Sequence, residues 1–264
     1  SFWQWGIKTC KPWWIMGIQS IPEHELARLR EKAKEITGSQ FEYQSSYTEL
    51  LSRRLNGEPL QYIEEYVPFY SIQINVDQRC LIPRPETEYM IEIIKNNIDL
   101  PKKILDVGTG TGCIALMMKK LFPDSEVHAV DISNDALSLA KENAEINNLE
   151  VNFYQSDLLN NVETLDFDLI VANLPYIPTS TLSTLNKEVI DYEPLIALDG
   201  GEDGRLYIDK LQNDLKNIDS KELVLVLEVD TSHAESLLSS FTDWEDVKLE
   251  KDLVERDRYI VARK

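Results

Sequence analysis

From residue 103 to residue 230, short continuous apolar runs alternate with longer stretches whose apolar positions recur every three or four residues. The runs "KILDVG", "EVHAVDI", "VNFYQSDLL", "DLIVANLPY" and "ELVLVLEVD" read as strands, whereas "CIALMMKKLF" and "SNDALSLAKENAEIN" read as helices. Strands without polar alternation are covered on both faces, so the pattern predicts an α/β fold with a mostly parallel sheet between helices. After the helix-like "TSHAESLLSSF", the segments "EDVKLEKDL" and "DRYIVAR" have the form of a hairpin, which predicts an antiparallel edge.

The first sixty residues follow a different period. Ser20-Ile21-Pro22-Glu23 has the form of a capping box, followed by Leu26, Leu29, Ala33 and Ile36 on one helical face, with Gly38 as the stop. A second helix is expected from about Tyr47, with Leu51 and Leu55 one turn apart, ending at Asn56-Gly57. "EYVPFYSIQINVDQRCL" then alternates aromatic and β-branched residues as a hairpin would. The predicted organisation is a helical domain over 1–59, a β-hairpin linker over 60–80 and an α/β domain over 81–264.

Composition narrows the function. Of 264 residues, 43% are hydrophobic, enough for a substantial core. Asp and Glu number 46 against 27 Lys and Arg, a net charge of -19 that repels phosphate backbones and anionic membranes. Neither a nucleic-acid partner nor a membrane is expected. Cys10, Cys80 and Cys113 show no CxxC spacing, and His24, His128 and His233 form no ligand pair. These residues predict no disulfide framework and no metal site, and they fit a reducing cytoplasm. The tryptophan-rich start, "SFWQWGIKTCKPWWIMGIQS", is too interrupted by polar residues for a spanning helix and lacks a signal-peptide cleavage pattern. Its aromatics are expected to pack onto the N-terminal domain.

The chemistry lies at the ends of the strand-like runs. Asp106-Val107-Gly108-Thr109-Gly110-Thr111-Gly112 opens directly into a helix, a GxGxG spacing that departs from the dinucleotide GxGxxG. Glycines there let a ligand lie against bare backbone at the carboxyl edge of the sheet. Asp131 closes the next strand, where an acid accepts hydrogen bonds from ribose hydroxyls; with Ser133 and Asn134 following, its alternative role is an N-terminal helix cap. Asp157 and Leu158 follow the third strand. Three such positions at corresponding sheet edges favour a nucleoside ligand.

An acidic residue followed by GxGxG resembles the class I S-adenosylmethionine-dependent methyltransferases. "LIPRPETE" (81–88), "RRLNGEPLQYI" (53–63), "LDGGEDGR" (198–205) and "KDLVERDRYIVAR" (251–263) together resemble the peptide chain release factor glutamine N5-methyltransferases. The resemblance implies a Rossmann-like seven-stranded sheet and S-adenosyl-L-methionine as cofactor. It further implies a release factor as protein partner, with the helical N-terminal domain recognising it, and transfer of a methyl group to the glutamine of its Gly-Gly-Gln loop. Gly108, Thr109, Gly110, Thr111, Gly112, Asp131, Asp157, Leu158 and Asn173 are the implied cofactor residues, joined by Arg84, Pro85 and Glu86 from a loop that covers the site.

Where that family has Asn-Pro-Pro-Tyr, this chain has Asn173-Leu174-Pro175-Tyr176. An amide nitrogen is a poor nucleophile because its lone pair is delocalised. The Asn173 side-chain oxygen and the carbonyl of Leu174 can accept its two N–H groups, with Pro175 stiffening the turn and Tyr176 packing on the planar amide. Leu174 keeps that carbonyl but loses a fixed φ. Similar turns occur in methyltransferases of adenine amino groups, so adenine-N6 methylation of nucleic acid is the second reading. A cofactor-binding module with a decayed site is the third. The glycines of "GGEDG" are read as turn formers without chemistry, and Glu228 as a strand-end acid that either faces the site or is solvated.

Overall fold

The computed structural model describes residues 20–264 except 165, 217 and 219–221; the packing expected of the tryptophan-rich start lies outside the described residues. The chain forms two compact units that divide after Glu64.

In the first unit, helices α1 (Glu23–Glu35), α2 (Gln40–Leu55) and α3 (Leu60–Glu64) bury Leu26, Leu29, Ala33, Leu50, Leu51, Leu60 and Ile63 among themselves. Each buried Leu or Ile contributes about 1.5–3 kcal/mol against its conformational entropy. The expected capping box is not formed, because Pro22, which has no side-chain acceptor, occupies the N-cap and takes Ser20 out of register. Ile36 is exposed at the helix end rather than on the buried face. α2 starts at Gln40, well before Tyr47, because Ser39 caps it: the Glu42 amide donates to Ser39 Oγ at 3.3 Å. The segment 60–64 is helical, not extended. Its Glu64 carboxylate pairs with Arg28, and Arg54 pairs with Glu25 at 2.6 Å.

The second unit opens with the antiparallel hairpin of β1 (Tyr66–Phe69) and β2 (Ile72–Asn75). Helix α4 (Pro85–Asn97) leads into a sheet of β3 (Lys103–Val107), β4 (Glu126–Asp131), β5 (Asn152–Gln155), β6 (Leu169–Asn173), β7 (Val224–Glu228), β8 (Asp246–Lys251) and β9 (Asp257–Arg263). Their order is β5-β4-β3-β6-β7-β9-β8. The first five are mutually parallel, and β9 and β8 form the antiparallel edge. Helices α5 (Cys113–Leu121), α6 (Asn134–Asn147), α7 (Lys187–Tyr192), α8 (Leu206–Leu215) and α9 (Ala234–Leu238) complete the chain.

The fully buried Leu105, Val107, Ile170, Ala172, Leu225 and Leu227 form the centre of the core, which explains the unbroken apolar runs. From β3 the chain passes outward to β4 and β5, then returns to β6 on the other side. The reversal leaves a crevice at the carboxyl ends of β3 and β6, where ligands of such sheets bind.

Candidate active site

The loop Gly108–Gly112 leaves β3 and enters α5 with left-handed φ at all three glycines. A Cβ added at Gly110 would meet nothing within 4 Å, so its backbone faces open cleft. At Gly108 an added Cβ would stand 3.0 Å from Leu174 Cδ2, so the loop lies directly on the residue that replaces the family proline. Asp106 is fully buried beneath the loop. Its Oδ2 accepts from the Thr109 hydroxyl at 2.7 Å and the Ala115 amide at 3.1 Å, while Oδ1 has no hydrogen-bond partner among the described residues. Burial, only partly offset by those bonds, pushes its carboxyl up to about 7.

Asp131 ends β4 at the cleft wall. It accepts from the Gly110 amide and the Ser133 amide, both at 2.9 Å, while Ser133 caps α6. Asp131 is therefore not the helix cap: it stands two residues before Ser133, which caps the helix. Burial raises its carboxyl against the pull of those amides. Thr109, Thr111, Asp157 and Leu158 also line the cleft, as do Asn173, Leu174 and Pro175.

Asn173 is the last residue of β6, beside Glu228 at the end of β7. Its Nδ2 donates to the Thr87 hydroxyl at 2.9 Å, which in turn donates to Glu228 Oε2 at 2.8 Å. The Tyr176 hydroxyl donates to the other Glu228 oxygen at 3.3 Å. Glu228 is 1% exposed, not solvated. Burial raises its carboxyl to about 6, opposed by the Thr87 bond, the Arg258 charge and the Tyr176 bond. Tyr176 is turned toward Glu228 and packs against the core rather than lining the cleft, and burial raises its phenol.

Arg84, Pro85 and Glu86 stand off the cleft. Arg84 pairs with Glu193 at 2.5 Å, Pro85 is the first residue of α4, and Glu86 meets Arg256 at 3.2 Å. From the same motif, Pro83 and Thr87 line the cleft instead. Glu193 also accepts from the Ile82 amide at 3.2 Å, joining the 81–84 loop to the segment that carries Pro194, Ile196 and Ala197 to the cleft.

Sequence reasoning missed Thr87, Ile132, Ser156, Ile196 and Tyr207 as cleft residues. Thr87 alone had a signal, since it lies within "LIPRPETE". It also missed the brace behind the turn. The Ile177 amide donates to Leu198 O at 3.1 Å and the Gly200 amide to Ile177 O at 2.8 Å, so "GGEDG" lies against Pro175 and Tyr176. A Cβ at Gly200 would come within 2.8 Å of both Pro175 O and Tyr176 Cα.

The sheet order, the glycine loop at its reversal and the acid closing β4 define a class I methyltransferase. Residues 85–192 match the family described as methyltransferase small domain. A release factor glutamine methyltransferase from Koribacter versatilis is 38% identical over 224 residues, covering 84% of this chain and 80% of that protein. Another from Bacillus cereus is 32% identical over 247 residues, covering 90% and 85%. The solved E. cuniculi Mtq2-Trm112 complex, responsible for methylation of the eRF1 termination factor, is similar in fold: TM-score 0.52 at 22% identity, over 70% of this chain and 99% of that one. The chain belongs to the release factor glutamine methyltransferase family.

Among the described residues no helix is long and apolar enough to cross a membrane, and no group of His, Cys, Asp and Glu is placed to hold a metal ion.

Proposed function

We propose that the protein transfers a methyl group from S-adenosyl-L-methionine to the side-chain amide nitrogen of the glutamine in a release factor's Gly-Gly-Gln loop. The observation that carries this reading is the position of Asn173, which ends β6 on the wall of the cleft that also holds the glycine loop and Asp131.

The residues fit the cofactor. Gly110 offers bare backbone to open space, Asp131 offers a carboxylate to a diol, and the apolar Ile132 and Leu158 offer surfaces for a base. When bound, S-adenosylmethionine supplies an electrophilic methyl group on a sulfonium that is itself the leaving group. The protein's work is therefore orientation and exclusion of water. Asn173 Oδ1 and the Leu174 carbonyl accept the two N–H groups of the substrate amide, which holds its nitrogen toward the methyl. The Leu174 side chain takes no part in that grip: it is 4% exposed and packed against Gly108. Pro175, held behind by Gly200, keeps the turn rigid. Tyr176 supports the turn from the side of Glu228. Recognition of the rest of the release factor is assigned to the N-terminal helical unit.

The net charge of -19 favours this substrate over nucleic acid. The test is incubation of purified protein and S-adenosylmethionine with a release factor, with RNA and with DNA, locating the methyl group by mass spectrometry. Methyl on the release-factor glutamine is the expected result; methyl on adenine alone would replace this reading with the nucleic-acid one.

A further inference from the structure

An asparagine side chain grips a substrate amide only if its oxygen, not its nitrogen, faces the substrate. The two ends differ little in shape, so something must set them. Here that something lies behind the turn, on two elements distant in sequence.

The Thr87 hydroxyl stands 2.8 Å from Glu228 Oε2 and 2.9 Å from the amide end of Asn173. A hydroxyl has one proton. An ionised carboxylate only accepts, so the Thr87 proton is committed to Glu228, and toward Asn173 the hydroxyl has only a lone pair to offer. The Asn173 atom facing Thr87 must then be the Nδ2 donor, which leaves Oδ1 turned away from Thr87. The reversed amide would set two acceptors against each other inside the protein, where Thr87 is 3% and Glu228 1% exposed. We infer that Thr87 and Glu228 are positioning residues for methyl transfer: together they fix the Asn173 amide with its oxygen toward the substrate.

This rests on Asn173 as the substrate's acceptor and adds what orients it. The groups around Glu228 are consistent with an ionised carboxylate as the working form. Tyr176 donates to it from the turn, and the Arg258 guanidinium approaches from β9, its Nε 3.8 Å from the Asp252 carboxylate. Against these, the Glu86 carboxylate on α4 favours the protonated form; Tyr259 on β9 gives its proton to the Glu86 carbonyl, Asp252 stands beside Arg258, and Cys113 lies on α5. If Glu228 takes up a proton it can donate to Thr87, whose own proton is then free to turn toward Asn173. The amide reverses and presents N–H groups to a substrate that also has only N–H groups to give. Burial places that protonation near pH 6.

The experiment compares Thr87→Val, Thr87→Ser, Glu228→Gln and Asn173→Ala with wild type, measuring kcat on a purified release factor across pH and cofactor affinity by calorimetry. Thr87→Val is expected to lower kcat by roughly tenfold to a hundredfold, the scale of a misaligned reacting group. Cofactor affinity stays within about twofold, and Thr87→Ser, which keeps the hydroxyl, restores most of the rate. The acid fall-off of kcat near pH 6 is expected in wild type and absent in Glu228→Gln. The relay is overturned if Thr87→Val turns over like wild type, if Thr87→Ser is as impaired as Thr87→Val, or if the acid fall-off persists in Glu228→Gln. The underlying reading fails differently: Asn173→Ala would then be as active as wild type, or wild type would leave the glutamine unmethylated.

Discussion

Gly204 and Tyr176 meet backbone to backbone: a Cβ on Gly204 would overlap the Tyr176 carbonyl oxygen and stand 2.7 Å from His233 Nε2. Gly204 also has φ +78, which side-chain-bearing residues rarely adopt. The "GGEDG" turn therefore braces the turn that carries Pro175 and Tyr176. Gly204→Ala is expected to push Tyr176 and Pro175 forward and lower kcat by roughly tenfold or more, since small displacements at a reacting group are costly. Cofactor affinity, which the proposed function assigns to the glycine loop and Asp131, is expected to change less. Calorimetry alongside single-turnover rates separates the two effects.

On the proposed reading Leu174 offers its carbonyl to the substrate, while its side chain is buried in the core, so the two roles separate by mutation. Leu174→Ala keeps the carbonyl but empties a buried site against Gly108. Thermal and denaturant unfolding should show a loss of about 2–5 kcal/mol, the usual range for a buried Leu→Ala change. At a temperature where the variant is folded, kcat at saturating cofactor is expected to stay within about tenfold of wild type, because no contact made only in the transition state is removed.

Asp131 is expected to act on cofactor binding rather than on transfer. Its carboxylate fixes the Gly110 amide as well as facing the cleft. Asp131→Ala should weaken S-adenosylmethionine by roughly tenfold to a hundredfold, in line with about 1.5–3 kcal/mol for a hydrogen bond to a charged group. At saturating cofactor, kcat should recover most of its value. Equal losses in both would assign Asp131 to the transfer step.

Asp106 makes a prediction about stability. Its folded carboxyl is raised to about 7 from an ordinary value of 3.8. Between those values the folded state holds a proton that the unfolded state has released, so the group's contribution to stability falls as pH rises through that window and is constant above it. Asp106→Asn cannot ionise. Measured without cofactor, the melting temperature of wild type minus that of Asp106→Asn should decrease from pH 5 to pH 8, whereas a constant difference would mean that Asp106 is ionised throughout.

Much of this was legible in the sequence because the features were local. The unbroken apolar strands mark a sheet covered on both faces, and the GxGxG spacing with Asp131 marks its carboxyl edge. Asn173 was legible as the polar end of an apolar run. What escaped depends on contacts between segments far apart. Thr87 and Glu228 are separated by 141 residues, and nothing in either neighbourhood shows that they share a proton. Arg84, expected from the resemblance to serve the cofactor, pairs with Glu193, 109 residues away, a contact that no local pattern announces. The alternation of 65–81 suggested that the hairpin segment begins at Leu60, yet Leu60 and Ile63 complete the small helical core. There tertiary burial outweighs local propensity.

On the proposed reading, Asn173 holds a glutamine amide for methylation in this cleft. This is tested most directly by tandem mass spectrometry of the Gly-Gly-Gln peptide from a release factor treated with wild type or Asn173→Ala and S-adenosylmethionine. One methyl group on the glutamine side-chain nitrogen with wild type, and none with an Asn173→Ala protein that still binds the cofactor, is the predicted result. An unmodified glutamine with wild type, or equal methylation by Asn173→Ala, would contradict it.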